Sequence, residues 1–224
     1  MHINDIISFI LLITFGTGYI LKLILLKKKN NINANVLAKG NKLKLRTLIK
    51  GAYRKNYVQG LSNDILICII ERFVKATSLL WLPTWILEIV FHNQISSHIV
   101  DFFFINTFTT FVGIMLTAIG VSIFILSTIF MKSSWRVGID KNTKTTLVTN
   151  GIYKFSRNPA FVGFYLMFVG LFLTYSNIIT LIVLVINVVS FHLLILQEEK
   201  HLLTMFGDEY KRYKRKVPRY FLGF

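Results

Sequence analysis

Asn150-Gly151-Ile152-Tyr153-Lys154-Phe155-Ser156-Arg157-Asn158-Pro159-Ala160-Phe161-Val162-Gly163 is the stretch on which the reading of this chain turns. It opens polar and basic and closes apolar. Asn150-Gly151 is a turn signal. Asn158 is placed to cap a helix that opens with Pro159, where a missing N–H costs least. That helix runs on through Phe161 to Leu173, apolar enough for a bilayer. An arginine, Arg157, and a helix N-terminus therefore meet at a membrane surface. Free N–H groups and the positive end of the helix dipole favour an anionic group there. The complementary half of such a site is expected one hairpin later, at Glu198-Glu199.

Working outward, the composition supports a membrane setting. Of 224 residues, 54% are hydrophobic, and the mean hydropathy is +0.58. The apolar residues fall into blocks of spanning length, which reads as one membrane domain rather than a soluble one. The single cysteine, Cys68, excludes an internal disulfide and a cysteine-based metal cluster. His92 and His98 lack a third or fourth ligand nearby, so no metal site is expected. The net charge of +16 raises nucleic acid as a partner, but its distribution argues against it. Three blocks, Lys27 to Lys55, Lys132 to Pro159 and Gln197 to Phe224, hold 23 of the 26 basic residues. His92 to Asp101 and Tyr175 to Asn177 hold none. This is the positive-inside pattern, and it also suits contact with anionic lipid heads.

The expected fold is an all-α, polytopic membrane helix bundle of about five transmembrane helices, with the N-terminus outside and the C-terminus cytoplasmic. Ile3 to Leu26 is a retained span, since Lys27-Lys28-Lys29 follows it and no small-residue cleavage site does. A basic cytoplasmic loop (27–60) comes next. Asp64 is placed to cap the second helix, whose span runs from about Phe73 to Phe91 and should kink at Pro83. Phe102 to Met131 is the third block, with Gly113 and Gly120 seven apart on one face for close packing. Residues 1–131 form an N-terminal unit and 132–224 a cofactor-binding unit. In the latter, Ala160 to Tyr175 and Ile178 to Leu196 make a hairpin about the outer turn Ser176-Asn177, each arm about as long as the hydrocarbon core is thick. Gly163 and Gly170 again share a face. Gln197 to Lys216 is a polar helix ended by Val217-Pro218.

Three features meet at the cytoplasmic face: Arg157, the Glu198-Glu199 pair, and the aromatic set of Tyr153, Phe155 and Phe161. Together they suit a zwitterion with an anionic end, cationic or hydroxyl groups, and a flat ring. S-adenosylmethionine carries that set. A phospholipid head or a pyridine nucleotide would also use an arginine and an aromatic wall. A structural ion pair with interface anchors is a further reading of the same residues.

From Leu147 to Phe221 the sequence resembles the isoprenylcysteine carboxyl methyltransferase and phospholipid methyltransferase superfamily. The resemblance rests on Gly151-Ile152-Tyr153, Arg157-Asn158-Pro159-Ala160-Phe161-Val162-Gly163 and Glu198-Glu199. It continues in Phe206-Gly207-Asp208-Glu209-Tyr210-Lys211-Arg212-Tyr213 and Val217-Pro218. Ser134 to Asp140 is also similar to bacterial members, which implies a bacterial inner (plasma) membrane with the active site on its cytoplasmic face. Asn158 and Phe161 stand where the family usually has histidine and tyrosine, and these departures leave the acceptor open. The resemblance implies methyl transfer from S-adenosylmethionine to a lipophilic acceptor, a carboxylate such as isoprenylcysteine or a lipid amine. It implies donor binding by Gly151, Tyr153, Arg157, Asn158, Pro159, Phe161, Gly163, Glu198 and Glu199, with Arg157 and Glu199 as catalytic residues. The partners expected are a lipophilic or lipid-linked substrate and membrane lipid, not nucleic acid. Two alternatives are an NADPH-dependent membrane reductase of the sterol-reductase type and a non-catalytic membrane protein of the same fold.

Overall fold

A computed structural model describes residues 2–30, 34, 58–99, 106–136 and 146–221. Among these, the chain forms α1 (Ile3–Asn30), α2 (Val58–His98), α3 (Thr107–Met131), α4 (Pro159–Thr174) and α5 (Ile178–Lys216). Short 3₁₀ turns occupy Lys132–Ser134 and Gly151–Lys154, and there is no strand among the described residues. Most of loop 27–60, and 137–140 of the segment resembling bacterial members, lie outside them. The fold is thus an all-α membrane bundle. Four helices, all but α4, are long and apolar enough to cross a bilayer. At 16 residues, α4 spans roughly 24 Å at 1.5 Å per residue, short of the roughly 30 Å of a hydrocarbon core. The expectation that this arm matches the core thickness is therefore corrected: Pro159 fixes its start, and the chain leaves helical geometry at Tyr175.

Capping boxes start two helices. Asn106 accepts from the Thr109 N–H and opens α3, and Asn177 accepts from the Ile179 and Thr180 N–H groups and opens α5. Asp64 does not cap α2. That helix begins at Val58, so residue 64 has helical backbone, whereas a cap needs non-helical φ/ψ. The break in α2 lies at Phe91 (φ −122°, ψ 18°) rather than at Pro83, which the helix carries inside it.

The two glycine faces read from the sequence pack against each other. A Cβ on Gly120 would lie 2.6 Å from the Gly163 carbonyl oxygen, and one on Gly170 would lie 2.6 Å from that of Gly113. Only glycine lets α3 and α4 approach this closely. The core beside them is aromatic. Trp81 packs edge-on against Phe15 (5.6 Å) and Phe168 (5.0 Å), and Phe164 against Phe191 (5.1 Å). Trp85 is buried and donates from Nε1 to Ser8 Oγ at 2.8 Å.

At the end of the bundle away from Arg157, several polar groups are paired across helices. The Tyr175 hydroxyl donates to Asp5 Oδ1 (3.1 Å), Asn177 Nδ2 donates to Glu88 Oε1 (2.8 Å), and His92 Nδ1 lies 3.1 Å from Glu88 Oε2. These contacts tie α1 and α2 to the α4–α5 turn. At the opposite end, α5 continues past its apolar part, Ile178 to Leu196, as one helix through Glu198-Glu199. It breaks only at Gly207 (φ 49°, ψ −121°), a left-handed geometry that favours glycine.

Candidate active site

The Arg157 stretch and the chain's last turn are laced together. After α5 ends, Val217 turns extended before Pro218, and the following strap lies back along the entry to α4. The Arg157 N–H donates to the Pro218 carbonyl (2.9 Å) and the Ser156 hydroxyl to that of Arg219 (2.9 Å). Arg157 Nη1 donates to the carbonyls of Lys214 (2.9 Å) and Val217 (3.2 Å). The Tyr213 hydroxyl closes the other side on the Tyr153 carbonyl at 2.7 Å.

Glu199 is the hub of this lacing. Its Oε1 accepts from Arg157 Nε (3.2 Å) and Nη2 (2.9 Å), from Asn158 Nδ2 (3.3 Å) and from Arg219 Nε (3.1 Å). Its Oε2 accepts from Arg219 Nη2 (2.9 Å). Burial pushes the Glu199 pKa up, but the hydrogen bond and charge of Arg219 and the charge and hydrogen bond of Arg157 outweigh it and hold the carboxyl below its usual range. In return, the Glu199 hydrogen bond raises Arg219. The result is an arginine–glutamate–arginine clamp in which the Arg157–Glu199 pair is buried and Arg219 partly exposed, with hydrogen bonds on both carboxylate oxygens, which is what burying such charges requires.

Arg219 escaped the sequence reading. Two adjacent glutamates set against one arginine leave a charge unaccounted for, and Arg219 is the next cation past helix-ending Pro218. That imbalance is the signal that would have found it. Asn158 occupies the N-cap position of α4 but makes no capping hydrogen bond. Its amide reaches Glu199 and the Arg219 carbonyl (3.4 Å) instead.

Beside the clamp lies a cleft of about 130 Å³, lined among others by Arg136, Tyr153, Arg157, Glu198, His201 and Phe206. Ligand pockets typically hold roughly 300–1,000 Å³, so the described residues enclose only part of a drug-sized ligand. Glu198 and Glu199 are adjacent on α5 and so point about 100° apart. Glu198 faces the cleft while Glu199 faces the clamp. Burial, then the Glu71 carboxylate, pushes Glu198 up to about 8. Burial, then Tyr213 and Glu198, raises the Tyr153 phenol, so it stays neutral.

The site residues read from the sequence thus divide. Tyr153, Arg157 and Glu198 line the cleft, whereas Asn158 and Glu199 lie in the clamp with Arg157. Pro159 starts α4 as expected, and Phe161 packs edge-on against Phe191 at 5.6 Å. Gly163 meets Gly120, and Gly151 (φ 58°) turns the chain where a side chain would strike the Phe130 ring. Phe155 is exposed. The fork of Arg157 is engaged on Glu199 and two carbonyls, which leaves one N–H of its five for anything else.

Residues 108–209, from α3 to the far part of α5, match the family described as phospholipid methyltransferase. That part of the chain is similar to this family. The matched segment covers both glycine faces, the Arg157 stretch and Glu198-Glu199, and it begins earlier than the resemblance that runs from Leu147. Curated relatives agree with it. The protein-S-isoprenylcysteine O-methyltransferase of Schizosaccharomyces pombe is 36% identical over 83 residues, which are 37% of this chain and 35% of that one. The proteins of the same name from Mus musculus (35% over 80 residues; 35% of this chain, 28% of that one) and Saccharomyces cerevisiae (35% over 78; 34% and 33%) are similar. The chain thus aligns with about a third of the length of the curated relatives it matches. No solved structure matches the chain significantly.

Proposed function

We propose that the chain is an integral-membrane methyltransferase that moves a methyl group from S-adenosylmethionine to a lipophilic acceptor. The orientation proposed has the cleft and the C-terminus on the cytoplasmic side of a bacterial inner membrane. The observation that carries the reading is the convergence, at one end of a membrane bundle, of a methyltransferase-family segment with a cleft of mixed charge. Its chemistry fits the donor. Glu198 offers a carboxyl group for hydrogen bonds to a ribose diol, Arg136 and the last N–H of Arg157 add positive charge, and Tyr153 and Phe206 add flat surface. When bound, S-adenosylmethionine supplies an electrophilic methyl group on a sulfonium.

The chain's own residues then have separate tasks. Glu198 and Tyr153 form the cleft wall that orients the donor. Arg157, Glu199 and Arg219 hold that wall rigid, which is the alignment on which an in-line displacement depends. A carboxylate acceptor is ionised at neutral pH and needs no base. An amine acceptor needs a proton acceptor; the Glu199 oxygens already accept five hydrogen bonds, and His192, on α5 two helical turns before Glu199, has its Nδ1 2.7 Å from the Tyr220 hydroxyl.

The test is ligand-induced stabilisation of the purified protein. A ligand that binds the folded state raises apparent stability by mass action. S-adenosylmethionine and its demethylated product are expected to raise the melting temperature, and NADPH is not. Stabilisation by NADPH alone would favour the reductase reading instead.

A further inference from the structure

The last turn of α5 carries charge that neither the clamp nor the cleft uses. It holds Lys214, Arg215 and Lys216, all exposed. None of the three side chains makes a hydrogen bond or ion pair with a described residue, whereas Lys211, one turn earlier, is paired with Asp208 at 2.9 Å. Cations at a helix C-terminus complement the dipole. Here, however, the carbonyls of Lys214 and Val217 are already engaged by Arg157 Nη1.

The break at Gly207 decides where these cations lie. Glu199 stands eight residues before it and Lys214 seven after it, yet Arg157 bonds to the Glu199 carboxylate and to the Lys214 carbonyl. Residues 208–216 therefore run back toward the membrane rather than onward into water. The return is tied level with the start of α4, where the Arg157 N–H donates to the Pro218 carbonyl and the Ser156 hydroxyl to that of Arg219. Farther along the strap, the Tyr220 hydroxyl lies 2.7 Å from Nδ1 of His192, which belongs to the apolar part of α5. Lys216 is two residues before Pro218, so their Cα atoms lie within about 8 Å of each other. The last turn of α5 thus sits at headgroup depth, where long basic side chains extend along the surface.

We propose that Lys214, Arg215 and Lys216 dock the end of α5 on anionic phospholipid headgroups, and that this contact holds the strap and the clamp in place. Charge complementarity selects that occupant. A zwitterionic headgroup carries its own cation beside the phosphate and offers three adjacent cations no net partner. An anionic leaflet attracts basic residues beside a span, and the attraction grows with each Lys or Arg. The link to the site runs through the backbone and one phenol. The Lys214 carbonyl holds Arg157, and the Tyr213 hydroxyl holds the carbonyl of Tyr153 in the cleft wall. The inference rests on the membrane setting of the bundle and not on the methyl-transfer reading.

The experiment reconstitutes the full chain in nanodiscs of phosphatidylcholine, alone or mixed with phosphatidylglycerol, and follows backbone amide exchange by mass spectrometry. Phosphatidylglycerol is expected to slow exchange across residues 208–217 several-fold. Salt at about 1 M, which cuts the Debye length to about 3 Å, should remove the slowing. The triple variant Lys214→Gln, Arg215→Gln, Lys216→Gln keeps the backbone contacts. It should exchange like the parent in phosphatidylcholine and show no slowing with phosphatidylglycerol. Lys27→Gln with Lys28→Gln, which removes exposed cations at the same end of the bundle, should leave the slowing intact. Inorganic phosphate added to phosphatidylcholine discs should have no effect. A parent protein that exchanges alike in both kinds of disc would overturn the proposal, whatever the variants do. So would slowing that survives the salt or the triple substitution, or that inorganic phosphate reproduces.

Discussion

Replacing Glu199 with glutamine separates the two halves of the Glu198-Glu199 pair. The change keeps the shape of the side chain and removes its charge from between Arg157 and Arg219. The Glu199 and Arg157 side chains are 6% and 7% exposed, and that of Arg219 is 25% exposed. Removing one partner of a buried ion pair costs about 3–5 kcal/mol, because the other charge is left uncompensated. Arg219 recovers part of its loss through water and Arg157 does not, so the lower part of that range, about 3 kcal/mol, is expected. For a chain of this length each kcal/mol shifts the melting temperature by roughly 2–4 °C, so the drop should be about 6–12 °C. Thermal unfolding of the purified protein, with and without S-adenosylmethionine, reads both effects. Glu198→Gln, in the cleft wall, should not lower the melting temperature at neutral pH and should reduce the donor-induced rise. A Glu199→Gln protein as stable as the parent, yet no longer stabilised by donor, would refute the division. Glu199 would then be a ligand contact and the clamp dispensable.

Other expectations follow from the same geometry. Gly163→Ala would put a Cβ 2.7 Å from the Gly120 carbonyl and 3.0 Å from the Phe124 nitrogen. It should therefore push α3 and α4 apart at a cost of about 1–3 kcal/mol, read as a lower melting temperature. The two glutamates should give opposite pH dependences. Glu199, held below its usual range, contributes stability that is present above about pH 4.5 and lost as pH falls through its depressed folded value. Glu198, raised from 4.5 to about 8, binds its proton more tightly in the folded state, so its contribution is lost as pH rises through that window. Melting temperatures from pH 4 to 9 should show the alkaline decline flattened in Glu198→Gln only. Reporters fused after Asn30 and Phe224 should read as cytoplasmic and one at Ser97 as external; an external C-terminus would overturn the proposed orientation.

Much of the bundle was legible in the sequence because membrane helices announce themselves locally. Long apolar runs, Asn177 at a helix start, Val217-Pro218 at a helix end and glycines spaced seven apart all carry their meaning without tertiary knowledge. Asp64 misled because the helix extends backward through a polar stretch whose apolar signal is weak. Gly151, Phe161 and Gly163 were read toward a ligand because they sit within a motif, whereas their neighbours Phe130, Phe191 and Gly120 come from elsewhere in the chain. The one-residue offset that turns Glu198 to the cleft and Glu199 to the clamp depends on the rotation of α5 against α4, which no local pattern encodes. Arg219 belongs to the same class, since it acts only because the strap folds back.

Incubation of the purified protein with methyl-labelled S-adenosylmethionine and a total membrane extract tests methyl transfer most directly. Label is expected to move into an organic-soluble product, and Glu198→Gln and Arg157→Ala are expected to slow that transfer. Absence of any labelled product from a folded protein that S-adenosylmethionine does not stabilise would contradict it.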